Sequence, residues 1–320
     1  MPDESVQCCV TSPPYFGLRD YGADGQIGLE ASPLVFIARL VQIFAEVRRV
    51  LRADGTAWVN MGDSYAGSWG AQGRPQGSGQ MTGRSVVSAR QINNHPALKT
   101  RTGVRGREMG MKAKDMMGIP WRLAFALQDD GWYLRQDIIW HKPNPMPESV
   151  RDRCTKSHEY LFLLSKQRHY YFDQDQIAED SVEPRGPGNV NPVESLPGER
   201  PTANSNLRGS LHKIGARASR NKRSVWTVPT QSFKGAHFAT FPPELIRPCI
   251  LAGAPRGGIV LDPFGGAGTT GLVAMQEGRR SILCELNPDY AALAQRRLDK
   301  AWIDGAAQMD ILLDPQGTAA

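Results

Sequence analysis

The sequence is short of the features that would place it outside the cell or in a membrane. It has five cysteines in 320 residues, Cys8, Cys9, Cys154, Cys249 and Cys284, with no C-x-x-C pair and no histidine spacing suited to zinc. A disulfide framework and a zinc module are thereby disfavoured, and buried, reduced thiols of a cytosolic protein are expected. No apolar run approaches the roughly 20 residues that cross a bilayer. The N-terminus lacks a basic-then-apolar leader, because Asp3 and Glu4 sit where positive charge would stand. No internal repeat is evident. Acidic charge is scarce in two long stretches and in slight deficit overall, giving a net charge of +6. That balance is compatible with a polyanionic partner and decides nothing alone.

What is present is a hydrophobic content of 40%, enough for a globular core. The most informative stretch runs from Val260 to Gly271. It reads as an apolar strand that stops at Asp262, turns through glycines and enters a helix, with Gly266, Gly268 and Gly271 in a G-x-G-x-x-G spacing. A second strand, Arg280 to Glu285, follows and ends in an acid suited to both hydroxyls of a ribose. A nucleoside-containing cofactor is the first inference; a tight turn without a ligand is the plain alternative.

Upstream, Val6–Thr11 reads as a buried strand that runs into Ser12-Pro13-Pro14-Tyr15, where two prolines hold the chain extended. Leu34–Leu51 has helical apolar spacing, Asp54-Gly55 reads as the turn that ends it, and Thr56–Asn60 as the next strand. A helix is expected from Pro120 to Gly131, and strands over Tyr133–Trp140 and Glu159–Ser165. Tyr170-Tyr171-Phe172 is a possible continuation of that pairing. Helices are also expected over Pro243–Leu251 and Pro288–Trp302. Gly67–Gly118 and Ser181–Gly235 lack apolar periodicity and are rich in Arg and Lys. They read as basic irregular insertions, either solvated surface or a phosphate-backbone footprint.

If the two turns end neighbouring strands of one parallel sheet, they share a crevice. An exocyclic amino group on a base is a poor nucleophile, because its lone pair is delocalised. Fixed acceptors such as the Pro13 carbonyl and the Ser12 side chain would draw density back to nitrogen and aim it. Tyr15 would stack on a base taken out of the duplex. The matching methyl donor is S-adenosylmethionine, with its ribose on Glu285.

Thr11-Ser12-Pro13-Pro14-Tyr15 and Asp262-Pro263-Phe264-Gly265-Gly266-Ala267-Gly268-Thr269 resemble the catalytic and cofactor motifs of the amino-methylating DNA methyltransferases. Catalytic motif first and cofactor motif last is the order of that family's circularly permuted beta group. Trp140-His141-Lys142-Pro143-Asn144, Phe241-Pro242 and Glu285-Leu286-Asn287-Pro288 add to the resemblance. It implies an α/β, Rossmann-like S-adenosylmethionine-dependent methyltransferase fold, circularly permuted, with a mostly parallel sheet, helices on both faces and basic insertions. The implied organisation is a catalytic half over 1–66 and 119–180, an insertion over 67–118, a target-recognition region over 181–235 and a cofactor-binding half over 236–320.

By the same resemblance Ser12, Pro13, Pro14 and Tyr15 form the amino-group pocket. Thr11, Asp262, Pro263, Phe264, Gly266, Gly268 and Thr269 surround the methionine end of the cofactor. Glu285 and Asn287 serve its ribose side, and Phe241 and Pro242 close over it. Lys142 and Asn144, in the loop bordering the flipped base, and Arg208, Arg217, Arg220, Lys222 and Arg223 are the implied DNA contacts. Plain readings stand beside these: Tyr15 as a packed aromatic, Glu285 as an acid without a ligand, Phe241 as ordinary core and the Trp140 loop as a rigid connector. One departure is that the chain begins only a few residues before its first strand. Either the start is truncated, or Met309–Leu313 supplies a neighbouring strand.

In the resembled family, serine at the head of the Pro-Pro-Tyr motif leans towards N4 of cytosine, with N6 of adenine as the alternative; the hydroxyl's own chemistry does not choose between them. A nicotinamide-dependent oxidoreductase also fits the glycine spacing and Glu285, but gives the Ser-Pro-Pro-Tyr turn no job. A DNA-binding module with an idle cofactor fold is the non-enzymatic reading. The expected partner is double-stranded DNA in the cytoplasm, at the nucleoid, with no membrane. A homodimer and a cognate restriction endonuclease are left open.

Overall fold

The computed structural model describes residues 1–18, 23–66, 111–112, 114–180, 219–231 and 241–313, with side chains to residue 304. Chain contacts divide it into two units, Met1–Phe172 with Ser224–Ala320, and Asp173–Arg223.

The first unit is built on a seven-stranded sheet. Strand β1 (Val6–Thr11) is an interior strand of this sheet and is buried along almost its whole length. Its side chains enter two different cores, the register shift after Val6 breaking strict alternation. Val6 and Cys9 join Phe36, Leu40 and Phe44 on one face, and Cys8 meets the helix on the other. Helix α1 (Pro33–Val50) forms because Ser32 caps it, accepting from the Val35 N–H, and because Pro33 pre-sets the first turn. Its stripe of Phe36, Ile37, Leu40, Phe44 and Val47 is buried.

No turn separates α1 from β2 (Leu51–Met61). Asp54-Gly55 lies inside the strand, where the register jumps from Val6↔Leu51 to Cys8↔Thr56, so the expected turn is a bulge. Lys166 and Tyr171 donate backbone hydrogen bonds to the carbonyls of Gly55 and Asp54. Tyr170–Phe172 therefore docks on the bulge, with the Phe172 ring stacked 6.2 Å from Trp58, and does not continue the sheet as expected.

Helix α2 (Ile119–Asp129) begins where both oxygens of Asp63 accept the Gly118 and Ile119 N–H groups. Strands β3 (Tyr133–His141) and β4 (His158–Ser165) are antiparallel. In the second unit, β5 (Glu179–Asp180) and β6 (Ser219–Arg220) form a short antiparallel pair. Strand β7 (Val225–Thr227) returns to the main sheet beside β3. Helix α3 (Pro243–Gly253), β8 (Ile259–Asp262), α4 (Thr269–Gln276), β9 (Arg280–Leu283) and α5 (Pro288–Leu313) complete the chain.

The sheet order is β7-β3-β4-β2-β1-β8-β9, and β4 alone among these strands runs against the rest. The mostly parallel α/β fold expected from the sequence is thus present. Three further expectations are corrected. Met309–Leu313 is helical, the end of α5, and among the described residues no strand pairs with the outer edge of β9. The strand expected to reach Glu285 stops at Leu283, two residues short. Of the cysteines, Cys8, Cys9 and Cys249 are buried, whereas Cys154 and Cys284 are exposed. Burial pushes the Cys8 thiol up to about 12, so it is inert. Among the described residues no helix is long and apolar enough to cross a membrane. The basic stretches 67–110 and 181–218 lie outside the described residues.

Candidate active site

Strands β1 and β8 are parallel neighbours, with Cys8 opposite Val260 and Cys9 opposite Leu261. Both carboxyl ends therefore open on the same edge of the sheet, where ligands bind in open α/β folds. Asp262 ties the two ends together. Thr11 Oγ1 donates to its Oδ1 at 2.6 Å, Thr270 Oγ1 to its Oδ2 at 2.6 Å, and the Phe264 N–H to Oδ1 at 3.0 Å. The carboxyl is 2% exposed, and burial raises it to about 6 against three hydrogen bonds that pull it down. Thr11 and Asp262 thus shape the site from beneath.

The glycine turn is held by backbone bonds from Gly265 to Cys284 (2.7 Å) and from Gly268 to Gly265 (2.8 Å). Gly268 has φ +76, and a Cβ there would come within 2.9 Å of the Ala294 Cβ, so α5 can pack on the turn only if this residue is glycine. Gly266 has φ +49, and a Cβ on it would meet no protein atom closer than 3.8 Å; the space beside it is open. Glu285 reaches back over the turn, accepting the Gly266 N–H on Oε2 and the Asn287 N–H on Oε1, both at 2.8 Å. From α5, Arg297 donates to the Ala267 carbonyl (3.0 Å) and to Thr269 Oγ1 (2.9 Å).

Over this turn lies a cavity of about 450 Å³. Ser12, Pro13, Pro14 and Tyr15 form one part of its wall; Asp262, Pro263, Phe264, Gly266 and Thr269 form another. Phe241, Glu285 and Asn287 also line it. Gly268 and Thr11 are not among the lining residues. Pro242 stands just behind Phe241 as the N-cap of α3. The structure therefore brings both distant turns to one space.

The Tyr15 ring is pinned from outside the motifs. Its hydroxyl donates to Glu159 Oε2 at 2.6 Å, and the same carboxylate accepts Lys142 Nζ at 2.5 Å. Burial, then the neighbouring Glu159 charge, pushes the phenol well above its ordinary range, so it stays protonated. Lys142 also lies 4.2 Å from the Trp140 ring centre. The ammonium of Lys142 is thus engaged inside the protein. Asn144 is spent similarly: its side chain accepts the Thr230 N–H at 2.9 Å and donates to the Thr230 carbonyl at 3.2 Å. In the second unit Arg220, Lys222 and Arg223 gather around Glu179 at 3.4, 3.8 and 3.0 Å. Arg208 and Arg217 lie outside the described residues. Sequence reasoning missed Glu159, Thr270 and Arg297. Thr270 lies inside the glycine motif, between Gly268 and Gly271; Glu159 and Arg297 carry no motif signal.

The family model for DNA methylases of the N6/N4 class matches residues 6–296. The chain belongs to the N6/N4 DNA methylase family. The Type II methyltransferase M.Cfr9I of Citrobacter freundii is 47% identical over 298 residues, covering 93% of this chain and 83% of that protein. M.SmaI of Serratia marcescens, also a Type II methyltransferase, is 44% identical over 93% of this chain and 86% of its own. Among solved structures, the cytosine-N4-specific PvuII DNA methyltransferase shares the fold with a TM-score of 0.56 at 18% identity, over 92% of this chain and 79% of that one. A Thermus thermophilus protein assigned as a DNA modification methylase, in complex with S-adenosyl-L-methionine, matches with a TM-score of 0.53 at 22% identity, over 94% and 88%.

This N6/N4 DNA methylase is an S-adenosylmethionine-dependent DNA methyltransferase. The residues fit that donor. Open space stands over Gly266, where the backbone turns tightly, and Glu285, which already accepts two N–H groups, keeps further lone pairs for hydroxyls.

Proposed function

We propose that this methylase acts on the exocyclic N4 of cytosine within a specific site of double-stranded DNA. The observation that carries the reading is that Ser12, Pro13 and Tyr15 line one cavity with Phe264, Gly266 and Glu285. S-adenosylmethionine supplies an electrophilic methyl group on a sulfonium.

The chain's own residues do the rest. The Pro13 carbonyl and Ser12 Oγ accept the two N–H groups of the amine, which restores electron density to nitrogen and fixes its direction of attack. Two prolines keep those acceptors from relaxing. The Tyr15 ring stacks on the flipped base. Phe241 and Phe264 flank the donor and exclude water, and Glu285 holds its ribose. Cytosine is favoured over adenine because a serine, not a carboxylate or amide, heads the motif.

The reading extends to the chain's organisation. Residues 1–66 and 119–180 form the catalytic half, 236–320 the cofactor half, and 181–235 the target-recognition region. The names of M.Cfr9I and M.SmaI support a role as the modifying half of a restriction system, paired with a cognate endonuclease in the cytoplasm.

The test is methylation of DNA by the purified protein with S-adenosylmethionine, followed by mass spectrometry of the nucleosides. N4-methylcytosine is expected, and N6-methyladenine alone would overturn the choice of base. Ser12→Ala and Tyr15→Ala should keep cofactor affinity by calorimetry while losing most methyl transfer. Wild-type rates in both would remove the pocket assignment.

A further inference from the structure

Glu30 is a buried carboxylate outside the catalytic and cofactor motifs. It stands two residues before Ser32, the cap of α1, and its side chain is 3% exposed. Ser32 already supplies the cap, so starting the helix does not account for an acid taken out of water. Both of its oxygens are engaged. Oε2 accepts the Gly28 N–H at 2.8 Å, and Oε1 accepts Nη1 of Arg39, from α1, at 3.1 Å. Arg39 Nη2 reaches on to the Gly25 carbonyl at 3.4 Å.

This clamp bears on the catalytic turn. From Ser12 to Ser32 the described residues form no helix or strand, so no ladder of backbone bonds holds them. The chain that leaves Tyr15 is brought back to it, the Gly17 N–H donating to the Gly28 carbonyl at 2.6 Å. Gly28 has φ +106, and a Cβ on it would stand 3.1 Å from the Tyr15 carbonyl oxygen and 3.6 Å from the Pro14 Cβ. Bare backbone therefore lies against the Pro-Pro-Tyr turn, and a Glu30 oxygen fixes it there. The same segment forms part of the cavity wall through Gly25, Gln26 and Ile27, and Arg39 holds that wall at Gly25. Phe16 packs on Phe36 of the same helix with ring centres 5.4 Å apart, an apolar contact that holds the chain down without fixing its direction. The prolines set the local shape of the turn, but not where the turn stands relative to the donor. Glu30 and Arg39 supply that second constraint.

We propose that Glu30 is a positioning residue: clamped to Arg39 on α1, it holds the Gly28 backbone against Pro14 and Tyr15, so that the amine acceptors of the turn keep their aim at the methyl donor. This rests on the amino-group pocket proposed above and deepens it.

The test is single-turnover methyl transfer at saturating S-adenosylmethionine, on a duplex that the wild-type protein methylates. Rates are expressed per cofactor site, counted by calorimetry, so that loss of folded protein cancels. Glu30→Gln keeps the size of the side chain but turns one of its two acceptor oxygens into a donor. Arg39→Gln removes the guanidinium from the other side of the clamp. Each should slow transfer per site by about 10- to 100-fold, as a displacement of up to about 1 Å does. The double variant should lose no more than about twofold beyond the slower single, because either change opens the same clamp. A merely structural pair would lower the number of sites and leave the rate at each unchanged. A wild-type rate per site in either single variant would therefore overturn the proposal, and so would losses that multiply in the double. If Glu30→Gln yields no folded protein, Arg39→Gln, at a half-exposed position, decides alone. A wild-type rate in Ser12→Ala would instead refute the pocket itself.

Discussion

At the scale of single residues, the acids at this site are set apart by what surrounds them. Asp262 is buried and accepts two threonine hydroxyls and one N–H, yet its pKa is raised from 3.8 to about 6, so burial outweighs the hydrogen bonds. Between those two values the folded protein keeps a proton that the unfolded chain has lost. Stability from this group is thus fully present below pH 3.8 and is lost as pH rises through 6, a loss of about 3 kcal/mol. Asp262→Asn removes that titration without changing the shape. Thr270 can then accept from the amide and give its own proton to the Val10 carbonyl, 3.3 Å away. The variant's stability relative to wild type should therefore climb by about 3 kcal/mol from pH 4 to pH 7. Urea unfolding across that range reads it, and a pH-independent difference would show that Asp262 is not strained by burial. The acid itself was legible as the last residue of a strand. Its partner Thr11 lies 251 positions earlier, and no local pattern encodes a bond over that distance.

At the scale of elements, periodicity was a sound guide wherever one face is buried. Val6–Thr11, the helix starting near Leu34 and the βαβ unit around the glycine turn stand within a residue or two of their expected bounds. It failed where tertiary contacts decide the outcome. Asp54-Gly55 has the chemistry of a turn, but sheet pairing on both sides of it holds the chain extended and turns it into a bulge. Met309–Leu313 has the apolar character of a strand, yet it continues a helix already begun. The fit between α3 and the sheet is just as invisible in sequence. Gly253, at the end of α3, faces Cys8, Thr56 and Trp58 on β1 and β2. A Cβ there would lie 2.6 Å from the Cys8 sulfur and 2.9 Å from both Thr56 Oγ1 and Trp58 Nε1. Gly253→Ala should therefore destabilise the fold by about 1–3 kcal/mol through overpacking, despite alanine's better helix propensity. Thermal unfolding followed by Trp58 fluorescence would show it. An unchanged or raised melting temperature would mean that α3 can shift outward at no cost.

At the scale of the whole molecule, chain order and sheet order disagree, and that disagreement makes the site. The first and eighth strands are neighbours, so the catalytic and cofactor turns meet although most of the sequence lies between them. The two motifs were readable one by one, and their meeting was inferred from both standing at strand carboxyl ends, on the condition that the strands are neighbours in one sheet. The DNA-binding side was read from charge and from the family resemblance, and neither says whether a cation faces a phosphate or a neighbour in its own fold. Glu179 makes that question answerable. It gathers Arg220, Lys222 and Arg223 within 4 Å in the second unit, and such half-exposed pairs add no more than about 1 kcal/mol to stability. If the three cations serve DNA, Glu179 holds them in register and partly neutralises them. Glu179→Gln should then tighten DNA binding at fixed salt. Replacing all three cations with glutamine should flatten the plot of log affinity against log salt by about 2 to 3, at roughly 0.9 for each phosphate no longer neutralised. If instead they serve only to tie the short β5–β6 pair together, Glu179→Gln lowers the melting temperature and neither change moves the salt slope. Fluorescence anisotropy with a labelled duplex between roughly 50 and 200 mM salt separates the two, because only cations that neutralise phosphates release counterions.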